Sequence, residues 1–184
     1  MKVLVTGVDG FIGKNLRVAL REQDGVEVLP IARSSSADTL QEAARVADAV
    51  IHLAGVNRPQ DPAEFSAGNA DFTAALSDAL AATGRAIPVA FASSIQAERS
   101  NPYGVSKLQA EMYLAAYGQR TGAPVAIYRL ANVFGKWSRP EYNSAVATFC
   151  HNIARGLPIR IDNPDAPVRL VYVDDVVTEL VSFL

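Results

Sequence analysis

Val3-Leu-Val-Thr-Gly7-Val-Asp-Gly10-Phe-Ile-Gly13 stands at the start of the chain and decides how the rest is read. Val3 to Thr6 is a short apolar run rich in β-branched residues, ended by Gly7. Beyond the glycines Phe11, Ile12, Leu16, Ala19 and Leu20 recur at helical spacing. The reading is strand, glycine turn, helix. Such a turn suits phosphate, because glycines let the backbone approach and the free N–H groups of a helix start face an anion. G-x-x-G-x-x-G is not a Walker loop, since Asn15 follows Lys14 and a required glycine is misplaced. A dinucleotide therefore fits better than ATP; glycines serving only tight strand-to-helix packing are the alternative.

Working outward, a second strand, Val26 to Ile31, is interrupted by Pro30 and followed by Arg33, Ser34, Ser35 and Ser36. No acid stands there to hold both ribose hydroxyls of NAD. An arginine with serine hydroxyls suits the 2′-phosphate of NADP, so NADP(H) is favoured and NAD(H) is kept; a solvated turn is the competing account. One helical stretch, Thr39 to Ala47, leads straight to the strand Ala49–Leu53. An edge strand and a crossover helix are therefore expected to be missing after the second strand. His52 reads as a packed core histidine, and the small Ala54 and Gly55 permit close approach of a cofactor. A helix from Glu64 to Ala82, broken by Gly68, precedes the strand Ile87–Ala92. That strand delivers Ser93 and Ser94 at its carboxyl end, where ligands bind in open parallel sheets; plain turn residues are the alternative.

Asn101-Pro-Tyr-Gly-Val-Ser-Lys107 reads as a helix start, Asn101 capping and Pro102 in the first turn, so that Tyr103 and Lys107 share one face. A phenol titrates near pH 10, and bringing it to about 7 takes roughly 4 kcal/mol, which a lysine ammonium can largely supply. An ordinary surface pair at this spacing is the bland reading. The helix is expected to reach Arg120 and to bury Leu108, Met112, Leu114 and Ala115. The strand Val125–Leu130, a helix Asn143–Arg155, a strand Val168–Val173 and a last helix capped by Asp174 and Asp175 follow. Alternation throughout implies a single α/β domain over residues 1–184, a Rossmann-like doubly wound parallel sheet with right-handed crossovers.

The 184 residues carry a formal net charge of −2, with 49% hydrophobic and 20% charged residues. No basic surplus points to nucleic acid. Cys150 is the only cysteine, so neither an intrachain disulfide nor a cysteine-based zinc site can form, and no metal is expected. No stretch approaches a membrane span or a secretory signal, so the expected location is the cytoplasm.

Taken together, Thr6-Gly-x-x-Gly-x-x-Gly13, His52-Leu-Ala-Gly55, Ser94, Tyr103-Gly-Val-Ser-Lys107, Arg129-x-x-Asn132-Val-Phe-Gly135 and Val173-Asp-Asp175 resemble the extended short-chain dehydrogenase/reductases that act on nucleotide sugars. His52-Leu-Ala-Gly-Val-Asn-Arg-Pro59, Ser93-Ser-Ile-Gln-Ala97, Gly135-Lys-Trp137, Tyr142-Asn-Ser144 and Ala147-Thr-Phe-Cys150 narrow this to the reductase domain of CapF-type capsular polysaccharide enzymes. The resemblance implies NADPH-dependent reduction of a UDP-linked 2-acetamido-2,6-dideoxy-4-ketohexose on the way to an L-fucosamine-type sugar. In that family a cupin domain follows and epimerises carbon three; with Leu184 the last residue here, cupin and final reductase segment are expected to be absent.

By the same resemblance Tyr103 is the general acid, Lys107 lowers its pKa and holds the nicotinamide ribose, and Ser94 polarises the carbonyl. Gly7, Gly10, Phe11, Ile12 and Gly13 would line the pyrophosphate, Arg33 the adenosine phosphate, Leu53, Ala54 and Gly55 the adenine-side ribose and ring, and Leu130 the nicotinamide. Gln96 and Asn132 join Ser94 on the sugar nucleotide. Ile95 and Gln96 after Ser94, in place of an Asp-Glu pair, disfavour dehydration. A homodimer formed through the helices around 67–82 and 103–120 is implied. An NAD-dependent nucleotide-sugar 4-epimerase and a non-catalytic NAD(P)-binding sensor module are the alternatives.

Overall fold

The structure, a computed structural model, describes residues 1–184. Five parallel strands form the central sheet: β1 (Lys2–Thr6), β2 (Glu27–Ile31), β3 (Ala49–His52), β4 (Val89–Ser94) and β5 (Val125–Leu130). Their spatial order is β2-β1-β3-β4-β5, so β2 is an edge and the expected extra strand beyond it is indeed missing. Pro30 lies opposite Val5 in that edge strand, where a residue without an N–H does least harm to the ladder.

Helices cover both faces. Successive residues of a strand point to opposite sides, and β1 divides accordingly. Leu4 packs with α2 (Ala37–Val46), α4 (Phe72–Ala81) and α5 (Pro102–Thr121), through Leu40, Leu76, Leu80 and Leu114. Val3 and Val5 pack on the other side with α1 (Phe11–Arg21) and α7 (Val173–Ser182), through Leu16, Leu20, Val176 and Leu180. The helix expected over Glu64–Ala82 is interrupted: one turn, α3 (Ala63–Phe65), passes through a π-helical turn at Ser66–Asp71 into α4.

The later part departs from the sequence reading. Asn132–Phe134 forms a short strand, β6, parallel to β7 (Leu170–Tyr172), a second sheet that the sequence did not announce. The helix expected over 143–155 is α6 (Ala145–Ile153), capped by the Ser144 hydroxyl, which accepts from Ala147 N at 3.2 Å. Asp174 and Asp175 do not cap α7; Tyr172 holds that position without a side-chain bond, and both acids sit in the first turn. In α5 Leu114 is buried as expected, but Leu108, Met112 and Ala115 are exposed. The inward face instead carries Ser106, Lys107, Ala110, Glu111, Leu114 and Tyr117. No helix is long and apolar enough to cross a membrane.

Candidate active site

The order of the parallel strands reverses between β1 and β3, since β2 lies on one side of β1 and β3 on the other. Their carboxyl ends therefore open a crevice, the usual ligand position in such sheets. Gly7 closes β1 there at φ +69°, and a Cβ on it would stand 2.7 Å from Ala54 N. Only glycine allows the two strand ends to come this close. A Cβ on Gly13 would likewise strike the Val8 backbone at 2.8 Å, so α1 leaves the turn hard against it.

Gly10, the N-cap of α1, brings no side-chain bond, and the first turn holds no acid. Gly10 N instead donates back to Gly7 O at 3.0 Å, and Lys14 N is the first helical N–H to reach Gly10 O. The N–H groups of Phe11, Ile12 and Gly13 thus lack an acceptor from the turn itself and face the crevice with the positive end of the helix. This cradle fits a pyrophosphate.

Behind the crevice a chain of buried polar groups joins the strand ends. Thr6 Oγ1 accepts from Leu53 N at 3.1 Å and from Ala54 N at 3.0 Å, and it bonds His52 Nδ1 at 2.6 Å. His52 Nε2 meets Thr73 Oγ1 at 2.9 Å, while the Thr73 hydroxyl donates to Asn69 O at 2.6 Å. Since the Thr73 proton is already given to Asn69, Nε2 carries the imidazole proton and Nδ1 accepts from Thr6. Burial, with the Lys107 charge adding to it, pulls His52 down to about 3, which keeps the ring neutral. His52 is the packed core histidine that its place in the strand suggested.

Asn69 lies in the π-helical turn, whose extra residue aims its side chain inward. Its amide oxygen accepts from Val56 N at 2.8 Å, and its nitrogen donates to Val56 O at 3.0 Å and to Ser106 Oγ at 2.9 Å. It thereby pins the 54–56 backbone above α5. Sequence reading passed over Asn69, although the helix break at Gly68 was the available signal.

Asn101 caps α5 as expected, accepting from Gly104 N at 2.8 Å, with Pro102 at the helix start. Tyr103 and Lys107 consequently project one turn apart toward β4. Lys107 Nζ is buried, donates to Ala92 O at 2.8 Å and stands 4.1 Å from the centre of the Phe91 ring. Burial draws the ammonium down to about 7, with the Glu111 charge opposing. Burial pushes the Tyr103 phenol up, and the neighbouring Ser94 side chain works against that rise. Here the arrangement corrects the sequence expectation: the phenol stands above its ordinary value, because the lysine is turned to a carbonyl and a ring. Phe65 packs against Tyr103, ring centres 5.7 Å apart.

The remaining expected residues fall in three groups. Gly7 meets Ala54 where β1 and β3 end, Gly13 backs onto Val8 behind Phe11 and Ile12, Gly55 lies beside Asn69 Oδ1 and Lys107 Nζ, and Leu130 ends β5 opposite Ser94. Gln96 follows Ser94 in a 3₁₀ turn, its N–H donating to Ser94 Oγ at 3.2 Å. Arg33 is 84% exposed and paired with Glu64 at 3.5 Å. Two of the three serines after it are committed elsewhere: Ser35 accepts from Ala32 N, and Ser36 caps α2. Asn132 uses its side-chain amide on Arg169 O at 3.0 Å, which ties β6 to the start of β7. Two further residues received no role from the sequence: Glu111, which it passed over, and Arg129, which stood there only within a family motif. Glu111 is buried, bonds Ser93 Oγ at 2.5 Å and receives Arg129 Nη2 at 2.6 Å. Burial would raise its carboxyl, but Arg129, Ser93 and Lys107 outweigh that and hold it below the ordinary range.

A parallel sheet whose first strand turns through glycines into a helix, with a tyrosine and a lysine one helical turn apart at the crevice, defines a dinucleotide-binding α/β domain. The chain belongs to the NAD dependent epimerase/dehydratase family, whose model matches residues 3–184. It is 58% identical over 177 residues to a UDP-2-acetamido-2,6-beta-L-arabino-hexul-4-ose reductase of Pseudomonas aeruginosa, covering 96% of this chain and 48% of that protein. The crystal structure of the capsular polysaccharide assembling protein CapF from Staphylococcus aureus superposes with a TM-score of 0.87 at 42% identity, covering 98% of this chain and 49% of that one. A UDP-glucuronic acid 4-epimerase from Bacillus cereus in complex with NAD shares the fold, with a TM-score of 0.85 at 22% identity over 99% of this chain and 73% of that one. The chain spans about half the length of the reductase and of CapF.

Proposed function

We propose that this chain carries the cofactor-binding and proton-donating part of an NADPH-dependent reductase. Its substrate is the 4-keto group of a UDP-linked 2-acetamido-2,6-dideoxyhexos-4-ulose in capsular or O-antigen precursor synthesis. The 58% identity to a reductase named for such a sugar carries the reading.

Phe11, Ile12 and Gly13 hold the pyrophosphate on free N–H groups, while Gly7 and Gly10, whose own N–H groups are bonded within the fold, let the backbone come close to it. Leu53, Ala54 and Gly55 form the adenine-side wall, and Leu130 borders the nicotinamide. Arg33 takes the adenosine phosphate, since an exposed pair such as Arg33–Glu64 is worth about 1 kcal/mol or less and opens readily. The bound cofactor supplies a hydride to the keto carbon. Tyr103 gives its proton to the keto oxygen, and a phenol raised by burial is fully protonated for that task at neutral pH. Ser94 hydrogen-bonds the same oxygen, Lys107 holds ribose hydroxyls, and Gln96 and Asn132 meet the sugar nucleotide; Asn132 must first release Arg169 O.

Titrating NADPH and NADH separately by fluorescence, then following NADPH consumption with the 4-keto UDP-sugar, tests the reading. NADPH binds more tightly, Arg33→Ala removes the preference, and Tyr103→Phe lowers turnover about 10²–10⁴-fold with NADPH affinity kept. Tight NADH binding without net cofactor consumption would favour a 4-epimerase, and binding without turnover a sensor module.

Dimerisation through α5 belongs to the same proposal. Val105, Leu108 and Met112 are exposed and recur on one helical face. Met112→Lys should shift the sedimenting species from dimer to monomer.

A further inference from the structure

Three consecutive residues at the end of β4 are each met by a different residue of α5. Lys107 takes the Ala92 carbonyl, Glu111 takes the Ser93 hydroxyl, and Tyr103 lies beside Ser94. Glu111 follows Lys107 by one turn on the same face. Its carboxylate also receives Arg129 Nε at 3.0 Å and Nη2 at 2.6 Å. Arg129 reaches it from β5, where it is the register partner of Ser93, and sends its Nη1 to the exposed Glu98 at 3.1 Å.

Packing alone does not call for an ion pair here, since replacing Glu111 and Arg129 together by apolar side chains of similar volume is often neutral for stability, whereas removing Glu111 alone strands Arg129 and the Ser93 hydroxyl. What the acid adds is a negative charge one helical turn from a buried cation, with which it makes no direct ion pair and whose direct partners, a backbone carbonyl and an aromatic face, are both neutral. The other titratable neighbours bring no anion: His52 on β3 is neutral and Tyr103 on α5 is a protonated phenol. Arg129 stands behind Glu111, where its positive charge offsets part of the carboxylate.

We propose that Glu111 is the counter-charge of Lys107 and, through Ser93, the clamp of the β4 end, with Arg129 moderating that charge. The inference deepens the reductase reading, which gives Lys107 the cofactor ribose, and makes Glu111 and Arg129 positioning residues. Loss of the Glu111 charge favours the neutral amine of Lys107. Loss of the Arg129 charge favours the ammonium. The two substitutions must act in opposite directions, which no packing role requires.

The chain has only four lysines, so the Cε signal of Lys107 can be assigned by its absence in Lys107→Met and followed against pH in ¹³C-lysine-labelled protein. Glu111→Gln should lower the Lys107 midpoint by about one pH unit or more. Arg129→Gln should raise it by a smaller amount, while Ser93→Ala and Glu111→Asp, which keep the charge, should leave it near the wild-type position. An unmoved midpoint in Glu111→Gln, or shifts of the same sign in the Gln variants, would overturn the proposal. Should Glu111→Gln fail to fold, the upward shift in Arg129→Gln decides alone, and its absence counts against the counter-charge. Because the titration needs neither cofactor nor sugar, its failure is separate from failure to bind NADPH, which would strike the reductase reading instead.

Discussion

Four of the five residues of β1 and five of the six of β4 are buried, whereas α6 and β7 bury none. From Pro124 to Tyr172 not one residue is buried; the core resumes at Val173. The contrast separates two ways of holding a backbone. Up to Ala123 the sheet is sealed on both faces, and that seal permits a neutral histidine, a buried lysine and a buried carboxylate at the crevice. Beyond it, β6 and β7 hold each other by three residue pairs and the Asn132 amide, and α6 buries none of its residues.

The largest expected difference is in local opening. Amides of β1, β3 and β4 should exchange only through global unfolding, which for a domain of this kind lies at about 5–15 kcal/mol, whereas those of α6 should exchange through openings of a few kcal/mol. Hydrogen-exchange mass spectrometry reads both at once. Equal protection in the two regions would break the comparison.

Two glycines sharpen it next. Gly7 and Gly156 both adopt positive φ, +69° and +63°, but an added Cβ at Gly7 meets Ala54 N at 2.7 Å while at Gly156 it meets nothing within 4 Å. Gly156→Ala should cost about 1 kcal/mol for backbone strain alone. Gly7→Ala adds overpacking and should reach about 3 kcal/mol or more, with loss of cofactor binding, in urea denaturation and NADPH titration.

What the sequence made legible follows the same division. The glycine turn, the Asn101 cap, the edge position of β2 and the span Val125–Leu130 rest on signals carried within a few residues, and the structure reproduces them. The family resemblance was likewise readable because several motifs stand in order along one chain. β6 was invisible because three residues make a strand only when β7, far along the chain, comes to pair with them. The inward face of α5 was misread for a different reason. Apolar periodicity marks buried faces, but here Ser106, Lys107 and Glu111 occupy that face, so Leu108 and Met112 look like core and are not. The roles of Asn69 and Arg129 escaped because each acts through a partner distant in sequence, Val56 and Ser106 for one, Glu111 for the other.

The buried histidine gives a pH signature that belongs to the sealed region alone. Unfolded, His52 takes a proton below about 6.5; folded, it does so only near 3. The unfolded state therefore binds more protons between those values, so the stabilisation is complete above pH 6.5 and is lost as pH falls. The slope approaches about 1.4 kcal/mol per pH unit. Carboxylates titrate lower, and His151 and Lys107 are common to wild type and His52→Phe, so the difference between the two in stepped-pH denaturation between about 5 and 6.5 isolates His52. His52→Phe should be less stable at pH 7, because Thr6 and Thr73 lose their partner, and should show a flatter dependence in that window. An unchanged slope would mean that the ring is protonated in the folded state and that the region is less sealed than its burial indicates.

The smallest expected effect tests the open region. Ile153 ends α6 at 66% exposure, and serine has nearly the same helix propensity. Little apolar area leaves or enters water on Ile153→Ser, so the unfolding free energy should change by about 0.5 kcal/mol or less. Leu80→Ala, in the sealed core, should cost about 2–5 kcal/mol in the same denaturation series. If Ile153→Ser instead costs more than about 1.5 kcal/mol, the side chain is covered in solution. Repeating the measurement over a range of protein concentrations identifies the cover: a cost that disappears on dilution points to a second copy of the chain, and one that persists points to α6 folding back on its own domain.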